Sequence, residues 1–166
     1  DADTVQLLVN GRSVGRKKVK ECKALFSKVT YEPGEIEAIA LDAAGRETGR
    51  ARLISATGAT KLKLSPERTL LRANGQDLCF LDIDLVGENG VTRSSVDQKL
   101  TVEVTGAGTL QAFGSARPHM AEDFVSQSHT TYYGKALAVI RAGYEPGEIR
   151  VKVSGKDMEE EITLRV

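Results

Sequence analysis

Tyr31-Glu32-Pro33-Gly34-Glu35-Ile36 recurs letter for letter as Tyr144-Glu145-Pro146-Gly147-Glu148-Ile149. Six identical residues in the same order make the two segments copies of one supersecondary unit. In each copy Pro33 or Pro146 presets φ, Gly34 or Gly147 is expected at positive φ, and the alternating residues that follow read as the next strand. The motif reads as architecture, a turn needed twice, rather than as a shared ligand site. The likeness reaches backward through Lys23-Ala24-Leu25 and Lys135-Ala136-Leu137, and forward through a strand, a Gly-containing turn and a final strand.

Outward from the repeat, a period of two dominates and helical spacing is scarce. Val5-Gln6-Leu7-Leu8-Val9 runs into Asn10-Gly11, a dipeptide suited to the positive φ angles of a tight hairpin turn, with Gly11 as its second residue. Further strands are expected over 23–29, 36–42, 49–55, 77–86, 99–105, 109–113, 136–142, 148–154 and 160–166, and another begins at Lys61. Strands at ~8–12-residue spacing separated by Gly and Asn turns are the pattern of antiparallel sandwiches. The fold class is all-β, read as two tandem immunoglobulin-like β-sandwich domains. The small-residue linker Ser55-Ala56-Thr57-Gly58-Ala59-Thr60 puts the boundary between 1–57 and 58–166. Because such a sandwich takes ~100 residues, 58–166 reads as complete and 1–57 as a partial domain, truncated at its N-terminus.

Composition removes several function classes. Of 166 residues, 40% are hydrophobic, enough for a packed core, and 23 basic residues balance 23 acidic ones. That balance, with no basic run longer than Arg16-Lys17-Lys18, leaves no electrostatic footprint for nucleic acid or an anionic membrane. Apolar runs such as 136–140 fall far short of the ~20 residues that span a bilayer. Cys22 and Cys79 have no second Cys or His at ligand spacing and read as ordinary thiols. Asp1-Ala2-Asp3-Thr4 lacks the features of a signal peptide, which slightly favours a cytoplasmic location.

The chemical signatures are equally sparse. No serine sits in Gly-x-Ser-x-Gly, and Gly106-Ala107-Gly108-Thr109-Leu110-Gln111 has Gln where a dinucleotide loop needs its third glycine. Asp82 and Asp84 share one solvated strand face, opposite Cys79, Leu81, Ile83 and Leu85, where nothing raises one carboxyl's pKa as a general acid requires. No catalytic residue, cofactor or metal is expected. His119, Glu122 and Asp123 supply too few oxygen ligands for a hard cation.

One segment stands out. Residues 115–134 form a connection of about twenty residues where the first copy spends only a few, and long connections are often functional. Arg117, His119, Glu122, Asp123 and Tyr132 are its candidate contact residues, toward sugar or toward other domains. Alternatively 124–133 is one more edge strand, with aromatics in the core and the histidines at the rim.

Val5-Gln6-Leu7-Leu8-Val9-Asn10-Gly11-Arg12-Ser13-Val14-Gly15-Arg16, with Phe26, Tyr31-Glu32-Pro33-Gly34 and Ala38-Ile39-Ala40-Leu41-Asp42 after it, resembles the immunoglobulin-like domain that follows the catalytic barrel in glycoside hydrolase family 2, bacterial β-galactosidases in particular. Asp77-Leu78-Cys79-Phe80, Val102-Glu103-Val104-Thr105-Gly106-Ala107-Gly108, Phe113-Gly114-Ser115-Ala116-Arg117-Pro118 and Tyr133-Gly134-Lys135-Ala136-Leu137 are similar to the last such domain of those enzymes. The resemblance implies a non-catalytic C-terminal region that braces the barrel or the assembly of a retaining glycosidase. Its partners would be the catalytic barrel and the other domains of that enzyme, with carbohydrate as a further one. Enzyme activity would belong to the parent, since a (β/α)₈ barrel takes ~250 residues by itself. The competing reading is an independent carbohydrate-binding module, against which the absence of Trp speaks.

Overall fold

The computed structural model describes residues 2–166. Among the described residues there are twelve strands and no helix, arranged as three antiparallel four-stranded sheets. The chain divides into two compact units, Asp1–Thr57 and Gly58–Val166.

In the first unit, β1 (Thr4–Val9) and β2 (Arg12–Lys18) form the hairpin turned by Asn10 and Gly11, whose φ angles are 49° and 74°. β3 (Glu35–Leu41) pairs with the other side of β1, and β4 (Glu47–Ile54) completes the order β2-β1-β3-β4. Register places Val5, Leu7 and Val9 opposite Ala40, Ala38 and Ile36, which in turn lie opposite Gly49, Ala51 and Leu53. Cross-strand partners share a face, so these residues make one apolar side of the sheet. The chain between β2 and β3 crosses it: Phe26 approaches Gly15, and residues 26–30 with Glu32 wall a groove of about 430 Å³ with Val9, Arg12, Val14 and Lys17. Leu7 and Val9 are buried there, whereas Leu53, on the far side of the same face, is 74% exposed.

The second unit is a sandwich. β5 (Lys61–Pro66), β6 (Leu78–Val86), β10 (Lys135–Ala142) and β8 (Gly108–Gly114) form one sheet in the order β5-β6-β10-β8. β12 (Met158–Arg165), β11 (Glu148–Gly155), β7 (Lys99–Gly106) and β9 (Ser128–Thr130) form the other, in the order β12-β11-β7-β9. Alternation gives each strand one inward face, and Cys79, Leu81, Ile83 and Leu85 of β6 share a single core with Phe113, Ile140, Val151 and Leu164. Removing each such Leu or Ile side chain from water contributes about 1.5–3 kcal/mol. On the outer face of β6, Asp84 pairs with Lys135 at 2.8 Å. The all-β, immunoglobulin-like sandwich architecture expected from periodicity is present.

Two local expectations fail. Residues 23–29 are not a strand: the backbone turns at Glu21 and Cys22 (φ 49° and 61°) and again at Lys28 (φ 61°), so the segment crosses the sheet and adds nothing to its edge. The likeness of Lys23-Ala24-Leu25 to Lys135-Ala136-Leu137 is therefore one of sequence alone, since the latter lies in β10. The forward half of the repeat does fold alike, as the hairpins β3–β4 and β11–β12.

The second correction concerns the repeated Pro-Gly turn. Gly34 has φ 131°, but Gly147 is not at positive φ. Gly147 exchanges backbone hydrogen bonds with Val166 (N–H to O 3.1 Å, and Val166 N–H to Gly147 O 2.8 Å), and that pairing holds it extended. Gly34 instead faces the Asn10 carboxamide, which accepts from Glu35 N–H at 2.8 Å and donates to the Pro33 carbonyl at 3.2 Å. The repeated tyrosines are both exposed and both brace a neighbouring loop: the Tyr31 hydroxyl lies 3.1 Å from Ser55 Oγ, and the Tyr144 ring covers Gly75.

The two glycines should therefore respond differently to substitution. Gly34→Ala forces a side chain into the left-handed region and against Asn10, and thermal melts should show a loss of about 1–3 kcal/mol. Gly147→Ala, with ordinary φ and a new methyl 3.0 Å from Ala107 Cβ, should cost less than about 1 kcal/mol.

Candidate functional site

The long connection between β8 and β10 is built to seal an edge. β8 ends its sheet, and its Phe113 N–H donates to Phe124 O at 2.8 Å. Val102 N–H of the other sheet donates to Gln127 O at 2.8 Å, after which β9 pairs with β7. The segment thus crosses from one sheet to the other and satisfies backbone groups that an open edge would leave exposed.

Register decides which of its side chains are buried. His129 stands opposite Leu100 and is fully buried with it, while Ser128 and Thr101 share a hydroxyl–hydroxyl hydrogen bond of 2.8 Å on the other face. The imidazole stacks on Phe124 (centroids 5.7 Å apart, planes at 16°) and meets Phe113 edge-on at 6.0 Å. Nδ1 lies 3.0 Å from Thr130 O and 3.5 Å from a Glu122 oxygen, and Nε2 has no hydrogen-bond partner. Phe124 is 52% exposed and lies directly on Gly114, where any Cβ would strike its ring. The expected edge strand exists, shortened to three residues, but its burial is inverted: a histidine fills the core and the aromatics sit outward. The reason is nonlocal, because pairing with Leu100 fixes the face.

Each candidate residue has a defined place. Glu122 accepts from Thr130 N–H and Thr130 Oγ1, both at 2.9 Å, and lies 3.8 Å from Lys99 Nζ. The Thr130 N–H bond, with His129 and Lys99 nearby, holds its carboxyl below the usual carboxylate range. Asp123 accepts from the Ser126 hydroxyl and from the Val125 and Ser126 N–H groups, which lower its pKa and fix a local turn. His119 is exposed and bonds to none of the described residues. Glu122 and Asp123 are engaged separately, and the three residues do not converge.

Arg117 and Tyr132, by contrast, are brought together. The Arg117 guanidinium donates to Asp97 Oδ2 at 2.8 Å and lies over the Tyr132 ring, 5.3 Å from its centroid. Tyr132 in turn packs against Tyr133, with ring centroids 4.4 Å apart, and the Tyr133 hydroxyl pushes the Tyr132 phenol up. Asp97 Oδ1 accepts from Gly134 N–H at 3.2 Å, tying the cluster to its turn. Asp97 escaped the sequence reading, and Tyr133 was not among its contact candidates. Asp97 lies far off in the chain, and Tyr133 passed for a strand residue.

Tyr132 and Lys135 exchange both backbone hydrogen bonds around Tyr133 (φ 51°) and Gly134 (φ 72°). This is the two-residue turn made elsewhere by Asn10 and Gly11, with Tyr in the place of Asn. Tyr133 is 60% exposed in that left-handed position, which costs an ordinary side chain about 1–2 kcal/mol.

The comparisons with known proteins bear on this geometry. The family described as glycoside hydrolase family 2 C-terminal domain 5 matches residues 62–163, more than half of the chain. The chain belongs to this family. A domain of unknown function (DUF4982) matches residues 1–49. Beta-galactosidase BoGH2A of Bacteroides ovatus is 29% identical over 97% of the chain and 19% of its own length. A glycosyl hydrolase family 2 member from Bacteroides cellulosilyticus is similar over 99% of the chain and 21% of its own, with 30% identity and a TM-score of 0.91. A beta-glycosidase from Bacteroides vulgatus, 22% identical with a TM-score of 0.82 over 99% of the chain and 21% of its own, shares the fold. The chain spans about a fifth of the length of these relatives. The resemblance read from the ordered motifs is correct.

Two measurements check the site. The Glu122 carboxylate stabilises the native state above about pH 4.5, and that contribution is lost as pH falls through its lowered native value. Glu122→Gln should therefore melt earlier at neutral pH, by about 1 kcal/mol, with the gap closing in acid. Tyr132→Ala, which removes a half-buried ring beneath Arg117, should cost about 1–3 kcal/mol, whereas Tyr133→Asn should stabilise by about 0.5 kcal/mol by easing the turn.

Proposed function

We propose that the chain braces the catalytic barrel of a retaining, β-galactosidase-like glycoside hydrolase, and that its first unit is the partial immunoglobulin-like domain through which it joins the rest of that enzyme. The observation that carries this is the half-covered apolar face of the β2-β1-β3-β4 sheet. Stable domains pack at least two layers around a core. Here residues 26–32 cover only the side near Val9, and Ala51 and Leu53 stay exposed. A second sheet from elsewhere in a longer polypeptide completes the layer. Residues 58–166, which already own a full core, then form a rigid module held against the enzyme. The catalytic carboxylates belong to the barrel, outside this chain.

The test compares contexts. Leu53→Lys should change the stability of the 166-residue chain by less than about 0.5 kcal/mol, as exposed substitutions do, and cost more than about 2 kcal/mol in the full-length enzyme. The same small shift in both contexts would remove the proposal. The purified chain should leave aryl β-galactosides at their uncatalysed rate, while the full-length enzyme cleaves them.

A further inference from the structure

We propose that Tyr132, Tyr133 and Arg117 form an auxiliary sugar-contact platform for a neutral, galactose-containing oligosaccharide. The proposal rests on the reading of the parent enzyme as β-galactosidase-like. Packing does not explain Tyr133. Its ring is largely in solvent, its backbone is left-handed, and in the corresponding turn Asn10 both suits the backbone and uses its side chain for two hydrogen bonds. Strain alone points nowhere, since Glu21 and Cys22 share such φ angles. At Tyr133 it coincides with a built aromatic surface.

That surface is rigid. Asp97 holds the Arg117 guanidinium with one oxygen and the Gly134 N–H with the other, the guanidinium covers one part of the Tyr132 ring, and Tyr133 packs beside it. The exposed Tyr133 ring, fixed before binding by its packing on the half-buried Tyr132, offers an apolar face to the C–H groups of a pyranose at little cost in side-chain entropy. The phenol hydroxyls and guanidinium edge supply donors and acceptors for sugar hydroxyls. Charge then selects the ligand. Asp97 neutralises Arg117, so the platform presents no net cation and fits a neutral sugar better than a uronate. Two rings are also a small patch against the ~800 Å² per partner of a stable protein interface.

The test is a titration of the 15N-labelled chain with β-1,4-galactotetraose, followed by amide chemical shifts. Shifts should cluster at residues 97, 117 and 131–135. Tyr133→Asn, which relieves the turn, should melt no lower than the parent chain yet weaken binding by about tenfold or more. Tyr133→Phe should stay within about threefold, and Tyr144→Ala, at a more exposed tyrosine elsewhere, should change nothing. Absence of shifts at millimolar sugar, binding indifferent to Tyr133→Asn, or stronger binding of an oligogalacturonate would each overturn the platform. Cellotetraose binding there with the same dependence on Tyr133, in preference to galactotetraose, would keep the platform and refute the galactoside reading. Galactoside cleavage by the full-length enzyme with no binding here would do the reverse.

Discussion

A sheet whose strands alternate apolar and polar residues has to bury one face, and the rest of this molecule follows from how each unit meets that demand. In the second unit β6 places four fully buried side chains against those of the opposing sheet, and every connection is arranged around that shared core. In the first unit the same alternation finds only the crossing segment 26–32 as cover, and Leu53 is left in solvent. The contrast lies in layers, since both units carry strands of similar amphipathicity. The second unit thus has a core between two sheets, whereas the first keeps part of the apolar face of its single sheet in solvent.

Closing the sandwich creates a second demand, at its edges. The segment after β8 meets it by lending carbonyls to Phe113 and Val102 and by adding β9 beside β7. Glu122 then takes the Thr130 N–H, which would otherwise point outward from the new edge. The residues singled out as contact candidates therefore divide. Glu122 and Asp123 serve the backbone of the seal, whereas Arg117 and Tyr132 are assembled on its outside with Asp97 and Tyr133. A seal needs the first pair. It has no use for an exposed, strained tyrosine, and that surplus makes the outer cluster the candidate for recognition.

These features share a common logic. The chain spans about a fifth of the length of its relatives. Its carboxylates are spent on local work: Asp84 on Lys135, Asp77 on the Arg72 N–H, Asp42 on the turn before Arg46. Among the described residues, none is buried beside a second one in the way that sets apart a general acid and a nucleophile.

What the sequence determined alone was everything carried by local chemistry. Alternation named the strands, Asn10-Gly11 fixed a hairpin, the repeated Tyr-Glu-Pro-Gly-Glu-Ile announced two matching hairpins, and the ordered motifs identified the family. Face assignment within β6 was legible for the same reason, because a period of two needs no partner to be read. What only the tertiary structure decided depended on pairing between distant residues. His129 is buried because its register partner is Leu100, and Gly147 is extended because Val166 pairs with it although its six-residue neighbourhood matches that of Gly34. Residues 23–29 leave the sheet through turns at Glu21, Cys22 and Lys28 that no propensity favours. The Arg117, Tyr132, Tyr133 and Asp97 cluster joins positions up to thirty-six residues apart, from Asp97 to Tyr133. Local sequence sets which faces a strand can offer, and the choice among them belongs to the partner that packing brings.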